Sequence, residues 1–220
     1  MYTTPRSAFV SDIDFALRAL SAEFPSPPVV IGHSAGGGCV QDLLSRAADV
    51  GASVAGAVLL AAIPGYGSLQ VSVNWWKLDP WFLLRMLWHR GHPRSPLSST
   101  RLLHGAFFSK DMPEAEVKRV ENTMSEWESM SWPSGMTARF VDPQRVLRTL
   151  AGSKRGILVV AAEDDKLMGV ELMRRLAAWY RQAGGEVDVE FVVATGVAHH
   201  LMLDVNWEEG AEKLAEWLDR

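Results

Sequence analysis

Apolar positions recur at helical spacing near the start of the chain, where Phe9, Ile13, Leu17 and Leu20 predict an amphipathic helix. Pro25, Pro27 and Pro28 end it, because proline lacks an amide donor and turns the preceding residue toward extended backbone. The apolar run Val29-Val30-Ile31 then predicts a strand. A second helical pattern opens at Gly36, with Val40, Leu43, Leu44 and Ala47 on one face and Gly51 as its stop. Val54 to Ala62 is small, apolar and unalternating, as a strand covered on both faces must be.

From about Gly65 to Arg145 no strong strand pattern occurs, and six of the nine tryptophans fall there: Trp75, Trp76, Trp81, Trp88, Trp127 and Trp132. Trp81 to Trp88 predicts one helix, and Val117, Val120, Met124 and Trp127 predict another beginning near Pro113. Alternation resumes with a strand at Gly156 to Ala161, a helix through Leu172, Leu176 and Tyr180 closed by Gly184-Gly185, and a strand at Val187 to Val193. The last helix starts near Asn206, with Glu209 spaced for a capping box and Trp207, Leu214 and Trp217 expected to be buried. Strands separated by helices predict parallel pairing through right-handed crossovers. The fold class is therefore α/β, a parallel sheet with flanking helices, in which 1–67 and 146–220 form the core and 68–145 a helical insertion.

Composition narrows the function. A chain of 220 residues, 48% hydrophobic and 22% charged, fits one globular domain. Its net charge of −4 comes from interspersed acids and bases, with no basic stripe interleaved with aromatics of the kind that nucleic acid requires. Cys39 is the only cysteine, so no internal disulfide forms, and its place in the second helix predicts a buried packing residue. No apolar run reaches membrane-spanning length, and no continuous apolar stretch of a signal peptide follows Met1 to Arg6, so the expected compartment is the cytosol.

Between the first strand and the second helix stands Gly32-His33-Ser34-Ala35-Gly36, the Gly-x-Ser-x-Gly pattern of a nucleophile elbow. Such a turn strains the serine and lifts its hydroxyl above the sheet, and Gly32 and Gly36 are expected to provide the room. The Ala35 amide, at the positive end of the helix, is placed to stabilise an oxyanion. A serine hydroxyl needs a base, and the base an orienting acid. Glu163-Asp164-Asp165 follows the third strand and His199-His200 the fourth, giving the chain order serine, acid, histidine.

With those residues in that order, the chain resembles the α/β-hydrolases of the lipase and esterase type, with a helical lid inserted between core strands. The resemblance spans almost the whole chain. It implies Asp165, three residues after Ala162, as the acid and His199, after Ala198, as the base, with Asp164, Glu163 and His200 as alternatives. A serine nucleophile implies hydrolysis of an ester, thioester or related acyl substrate bearing an apolar group, through an acyl-serine and without a cofactor. Trp75, Trp76, Trp81 and Trp88 are expected to bind substrate as a roof over the pocket, or else simply to pack the lid onto the core. The alternative function is a hydrolase-like protein of little or no activity that binds a small apolar ligand.

His33 is expected to pack and hydrogen-bond around the elbow. His89, His92 and His104 lack ligand-like company, and His199-His200 beside Asp204 diverge in direction, so no metal is implied. Relatives place several strands, and the loop carrying the second oxyanion donor, ahead of the nucleophile. Here one helix and one strand precede Ser34. The expectation is an N-terminally incomplete version of the fold, four strands short, with a degenerate copy as the alternative, an exposed sheet edge at Val29 to Ile31 and lower stability and activity than an extended chain.

Overall fold

The computed structural model describes residues 3–46, 54–128 and 134–220. Pro5 stands at the N-cap of α1 (Arg6–Glu23), where a missing amide donor costs the helix nothing. The elbow joins β1 (Val29–His33) to α2 (Ala35–Arg46), and β2 (Gly56–Leu60) follows. Four helices come next: α3 (Leu69–Leu78), α4 (Phe82–Trp88), α5 (Thr100–Phe107) and α6 (Glu114–Thr123), with a single 3-10 turn at Ser95–Leu97. The remaining elements are α7 (Pro143–Leu150), β3 (Ile157–Ala162), α8 (Val170–Gln182), β4 (Val189–Ala194) and α9 (Trp207–Leu218).

All four strands run parallel in the order β1-β2-β3-β4. The register sets Val29 beside Gly56, Ala57 beside Ile157 and Ala162 beside Ala194. β2 and β3 are buried throughout, as their unbroken apolar runs require. α2 packs on β1, while α8 and α9 pack on β3 and β4. β1 pairs only with β2 among the described residues, and Ile31 is 46% exposed, so the expected edge is present. Among the described residues no helix is long and apolar enough to cross a membrane.

One core runs from α1 and α2 through the sheet to α8 and Trp217. Buried Asp42 of α2 pairs with Arg6 at 2.7 Å and Arg46 at 2.6 Å, tying α1 to α2. Cys39 is buried as expected, and burial pushes its thiol up to about 11. α8 stops at Gly184, whose φ of +80° a residue with a Cβ adopts only under strain.

Several local expectations are corrected. α3 and α5 are not among the predicted helices; α3 turns Leu69, Val73 and Trp76 outward, and α5 starts where the Ser99 hydroxyl accepts the Leu102 amide. α6 ends at Thr123, leaving Met124 and Trp127 beyond it. α7 is likewise not among the predicted helices; Val146, Leu147 and Leu150 are buried on the face that meets α2, and the Asp142 carboxylate caps its first turn. In α1 Leu17 is buried and Phe9 and Ile13 pack on the core as expected, whereas Leu20 is exposed and Val10 is buried in addition. Trp207 is 47% exposed although Trp217 is buried. The Asn206–Glu209 capping box does not form, since both side chains bond to the preceding loop, Asn206 to the Gly196 carbonyl and Glu209 to the Thr195 hydroxyl. Ala47, Gly51 and Trp132 lie outside the described residues.

Candidate active site

Ser34 occupies the turn between β1 and α2 with φ of +53°, the left-handed region that costs a non-glycine residue about 1–2 kcal/mol. The surrounding backbone fixes that conformation. The Ser34 amide donates to the Leu60 carbonyl at 2.9 Å, and the Ser34 carbonyl accepts from Ile63 at 2.8 Å and Gly37 at 3.1 Å. The close approach falls at Gly32 and Gly37, not at Gly32 and Gly36. A Cβ on Gly32 would lie 2.6 Å from the Gly37 Cα, and one on Gly37 2.4 Å from the Ala62 Cβ, whereas one on Gly36 would meet nothing within 4 Å. Gly36 lies at the open start of α2, which is why its side of the elbow tolerates bulk.

The ends of β3 and β4 bring the expected partners to this turn. His199 Nε2 lies 2.9 Å from Ser34 Oγ, and His199 Nδ1 lies 2.8 Å from Asp165 Oδ2. Both partners are buried. Asp165 Oδ1 accepts the Leu167 amide at 2.7 Å and the Met168 amide at 2.8 Å, so the carboxylate is orientated and its charge compensated before it meets the imidazole. With Oδ2 as acceptor, His199 carries its proton on Nδ1 and presents a bare Nε2 to the serine.

The alternatives do other work. Asp164 is exposed, with its amide bonded to Val197. The Glu163 carboxylate accepts the Gly196 amide and shapes the loop leading to His199. His200 turns away to stack on Phe108 and His33, and burial lowers its affinity for a proton. Ala35 opens α2 beside Ser34.

His33 bonds through Nε2 to the His199 carbonyl at 2.8 Å. A carbonyl only accepts, so this nitrogen carries the His33 proton. Burial, followed by the charge of His199, lowers the His33 pKa from 6.5 to about 4 and keeps the ring neutral. His104 bonds to the Ser109 carbonyl, and His92 rests on Trp127. Among the described residues no three His, Cys, Asp or Glu side chains are grouped to hold a metal ion.

The four tryptophans separate. Trp75 stacks on Phe82 at 6.0 Å, and with Trp81 it lines a cleft between α3, α4 and α5 that includes Leu78, Leu102 and Ala106. Trp76 and Trp88 are exposed, and so is most of Trp81. From the helices between β2 and β3, Phe107 of α5 reaches His199, the two rings lying 5.1 Å apart.

Gln41 and Asp204, both buried, tie together the elements around the site. Gln41 of α2 donates to the Gly37 and Ile63 carbonyls and accepts from the Gly65 amide and the Tyr180 hydroxyl, joining the elbow helix to the end of β2 and to α8. Asp204 accepts from the Ala198 amide and from both the amide and hydroxyl of Ser109, clasping the His199 loop to the chain leaving α5. Only the chemistry of a buried acceptor marks either residue, and sequence spacing carries no such signal.

No curated protein matches this sequence. The fold matches a carboxyl esterase from Bacillus coagulans (TM-score 0.68, 15% identity, 98% of this chain and 72% of that one). It also matches an esterase from Thermogutta terrifontis (TM-score 0.63, 16% identity, 99% and 73%). A third is a monoacylglycerol lipase from Paleococcus ferrophilus (TM-score 0.57, 19% identity, 98% and 75%). At these identities the likeness is one of fold. The sequence model of the alpha/beta hydrolase family matches residues 3–216, taking in the elbow, both strand ends and the His199 loop, and the chain belongs to that family.

Proposed function

We propose that this hydrolase cleaves an ester, thioester or related acyl substrate carrying an apolar group, with Ser34 as nucleophile, His199 as general base and Asp165 as the orienting acid. The observation that carries the reading is the continuous chain from Ser34 Oγ to His199 Nε2 at 2.9 Å and from His199 Nδ1 to Asp165 Oδ2 at 2.8 Å, on a serine held at φ +53°. His199 takes the Ser34 proton as Oγ attacks the acyl carbon, and Asp165 stabilises the imidazolium. The Ala35 amide donates to the oxyanion. Collapse of the tetrahedral species expels the alcohol or thiol with the proton held by His199, leaving acyl-Ser34. Water activated by the same Nε2 then releases the acid.

Helices α3 to α6 act in this reading as a cap over the site, with Phe107 against the base and the cleft at Trp75 and Trp81 admitting the apolar group. A fluorophosphonate probe tests the proposal. Stoichiometric labelling that disappears in Ser34→Ala, together with turnover of a short-chain nitrophenyl ester, is the expected result. A folded protein that never labels, but is stabilised against heat by a small apolar ligand equally in Ser34→Ala, would establish the binding-protein alternative instead.

A further inference from the structure

The outer face of α4 is apolar without interruption. Trp81, Leu84 and Trp88 recur at helical spacing, with Leu83 and Leu87 one step round, and all five are exposed: Trp88 by 86%, Leu87 by 75% and Trp81 by 67%. Leu69, Val73 and Trp76 of α3 extend the surface. A helix that faces water ordinarily turns polar side chains outward. Here the outward positions are the apolar ones, and the only cation of α4, Arg85, is turned back to pair with Asp79. An exposed patch of this extent marks a binding surface.

The charge around it selects the partner. Between residues 69 and 105 stand five cations, Lys77, Arg85, Arg90, Arg94 and Arg101, and one acid, Asp79, in a chain whose net charge is −4. Lys77, Arg90 and Arg101 are exposed. A second copy of the chain meeting this face with its own copy of the same face would bring like charges together. An apolar cleft at Leu60, Met202, Trp207 and Leu214 offers lipid no such cationic rim, because the first turn of α9 carries Glu208 and Glu209. Tryptophan and leucine on one face of a helix, with a cationic rim, match an anionic lipid surface. The rings and branched chains enter the acyl boundary while the cations meet phosphate headgroups.

We infer that the α3–α4 face docks this protein on the surface of an anionic lipid layer, lying in the interface and not spanning it. The inference goes beyond the proposed chemistry and does not depend on it, since no residue of the patch belongs to the Ser34–His199–Asp165 chain. In flotation assays the Ser34→Ala protein is expected to rise with vesicles of phosphatidylcholine and phosphatidylglycerol, less with phosphatidylcholine alone, and less again as salt is raised. Leu84→Asp/Leu87→Asp, shown folded by an unchanged circular dichroism spectrum, should weaken binding about tenfold or more. Lys77→Glu/Arg90→Glu should remove the preference for the anionic lipid while keeping the apolar contact.

Three results would overturn the inference. The first is a folded protein that does not float with anionic vesicles, and the second is undiminished binding by Leu84→Asp/Leu87→Asp. The third is a dimer in light scattering that this double variant converts to monomer, which would make the face a contact between copies. If the proposed chemistry is wrong, probe labelling fails while flotation persists, so the two failures are distinguishable.

Discussion

Replacing Asp204 removes the acceptor at the centre of the clasp between the His199 loop and the chain leaving α5. Its Oδ2 accepts the Ala198 and Ser109 amides, both at 2.9 Å, and its Oδ1 accepts the Ser109 hydroxyl at 2.6 Å and the Val205 amide at 2.8 Å. In Asp204→Ala the Ser109 hydroxyl can rotate to another partner, but the two amides on Oδ2 are fixed in place. Each buried unsatisfied donor costs about 1–3 kcal/mol, so the loss is about 2–6 kcal/mol. That is a large part of a typical stability of about 5–15 kcal/mol. Asparagine should be gentler. With its oxygen at the Oδ2 position it still serves both buried amides and its NH2 can donate to the Ser109 hydroxyl, so the loss is confined to the charge assistance and to the acceptor of the half-exposed Val205 amide, about 1–3 kcal/mol.

Urea denaturation of the parent, Asp204→Asn and Asp204→Ala measures this order directly, provided the slope with denaturant is unchanged. A double-mutant cycle with Ser109→Ala should return a coupling of about 0.5–3 kcal/mol. Ala198 immediately precedes His199, so turnover should fall in the same order while KM stays near the parent value. A displacement of His199, the proposed base, by 1 Å is worth about 10² in rate. Stability of Asp204→Ala within about 0.5 kcal/mol of the parent, with unchanged turnover, would refute the clasp.

His33 provides a pH test. Its folded pKa is lowered from 6.5 to about 4, so the unfolded chain binds a proton in that window that the folded chain refuses; its contribution of about 3 kcal/mol is present above pH 6.5 and lost as pH falls toward 4. The difference in stability between parent and His33→Asn, followed by urea titration from pH 7 to pH 4, should narrow as the pH falls, and a difference independent of pH would remove that role. At the elbow, Gly37→Ala is expected to destabilise because its Cβ falls 2.4 Å from that of Ala62, whereas Gly36→Ala is expected to be neutral or stabilising by up to about 1 kcal/mol; equal melting temperatures for the two would contradict the packing. Asp165→Asn should lower turnover by about 10⁴ with the fold intact, while Asp164→Asn, whose carboxylate is exposed, should leave it unchanged; the reverse result would move the acid by one residue.

The parts of this molecule that could be read from the sequence are those in which one physical requirement fixes one residue type. β2 and β3 lie between layers, and only an unbroken apolar run meets that demand, so Val54 to Ala62 and Gly156 to Ala161 announced both strands to within about two residues. The elbow was legible because a serine between glycines, after a strand and before a helix, serves few other purposes. Its packing was not legible, because Gly36 and Gly37 are equivalent as letters and differ only in that one faces open space and the other Ala62.

The helices between β2 and β3 resist reading for a different reason. α3 and α4 turn tryptophan and leucine outward, so the rule that apolar residues mark the buried face inverts there, and Trp76 and Trp88 stand in solvent. The polar contacts that fix the site were equally hidden. Gln41, Ser109 and Asp204 look like ordinary surface residues until the fold encloses them, and each is then held by the number of hydrogen bonds it completes. A sequence thus shows the groups that react more readily than those that hold them in place, because a reacting group is specified by its chemistry and a supporting one only by its surroundings.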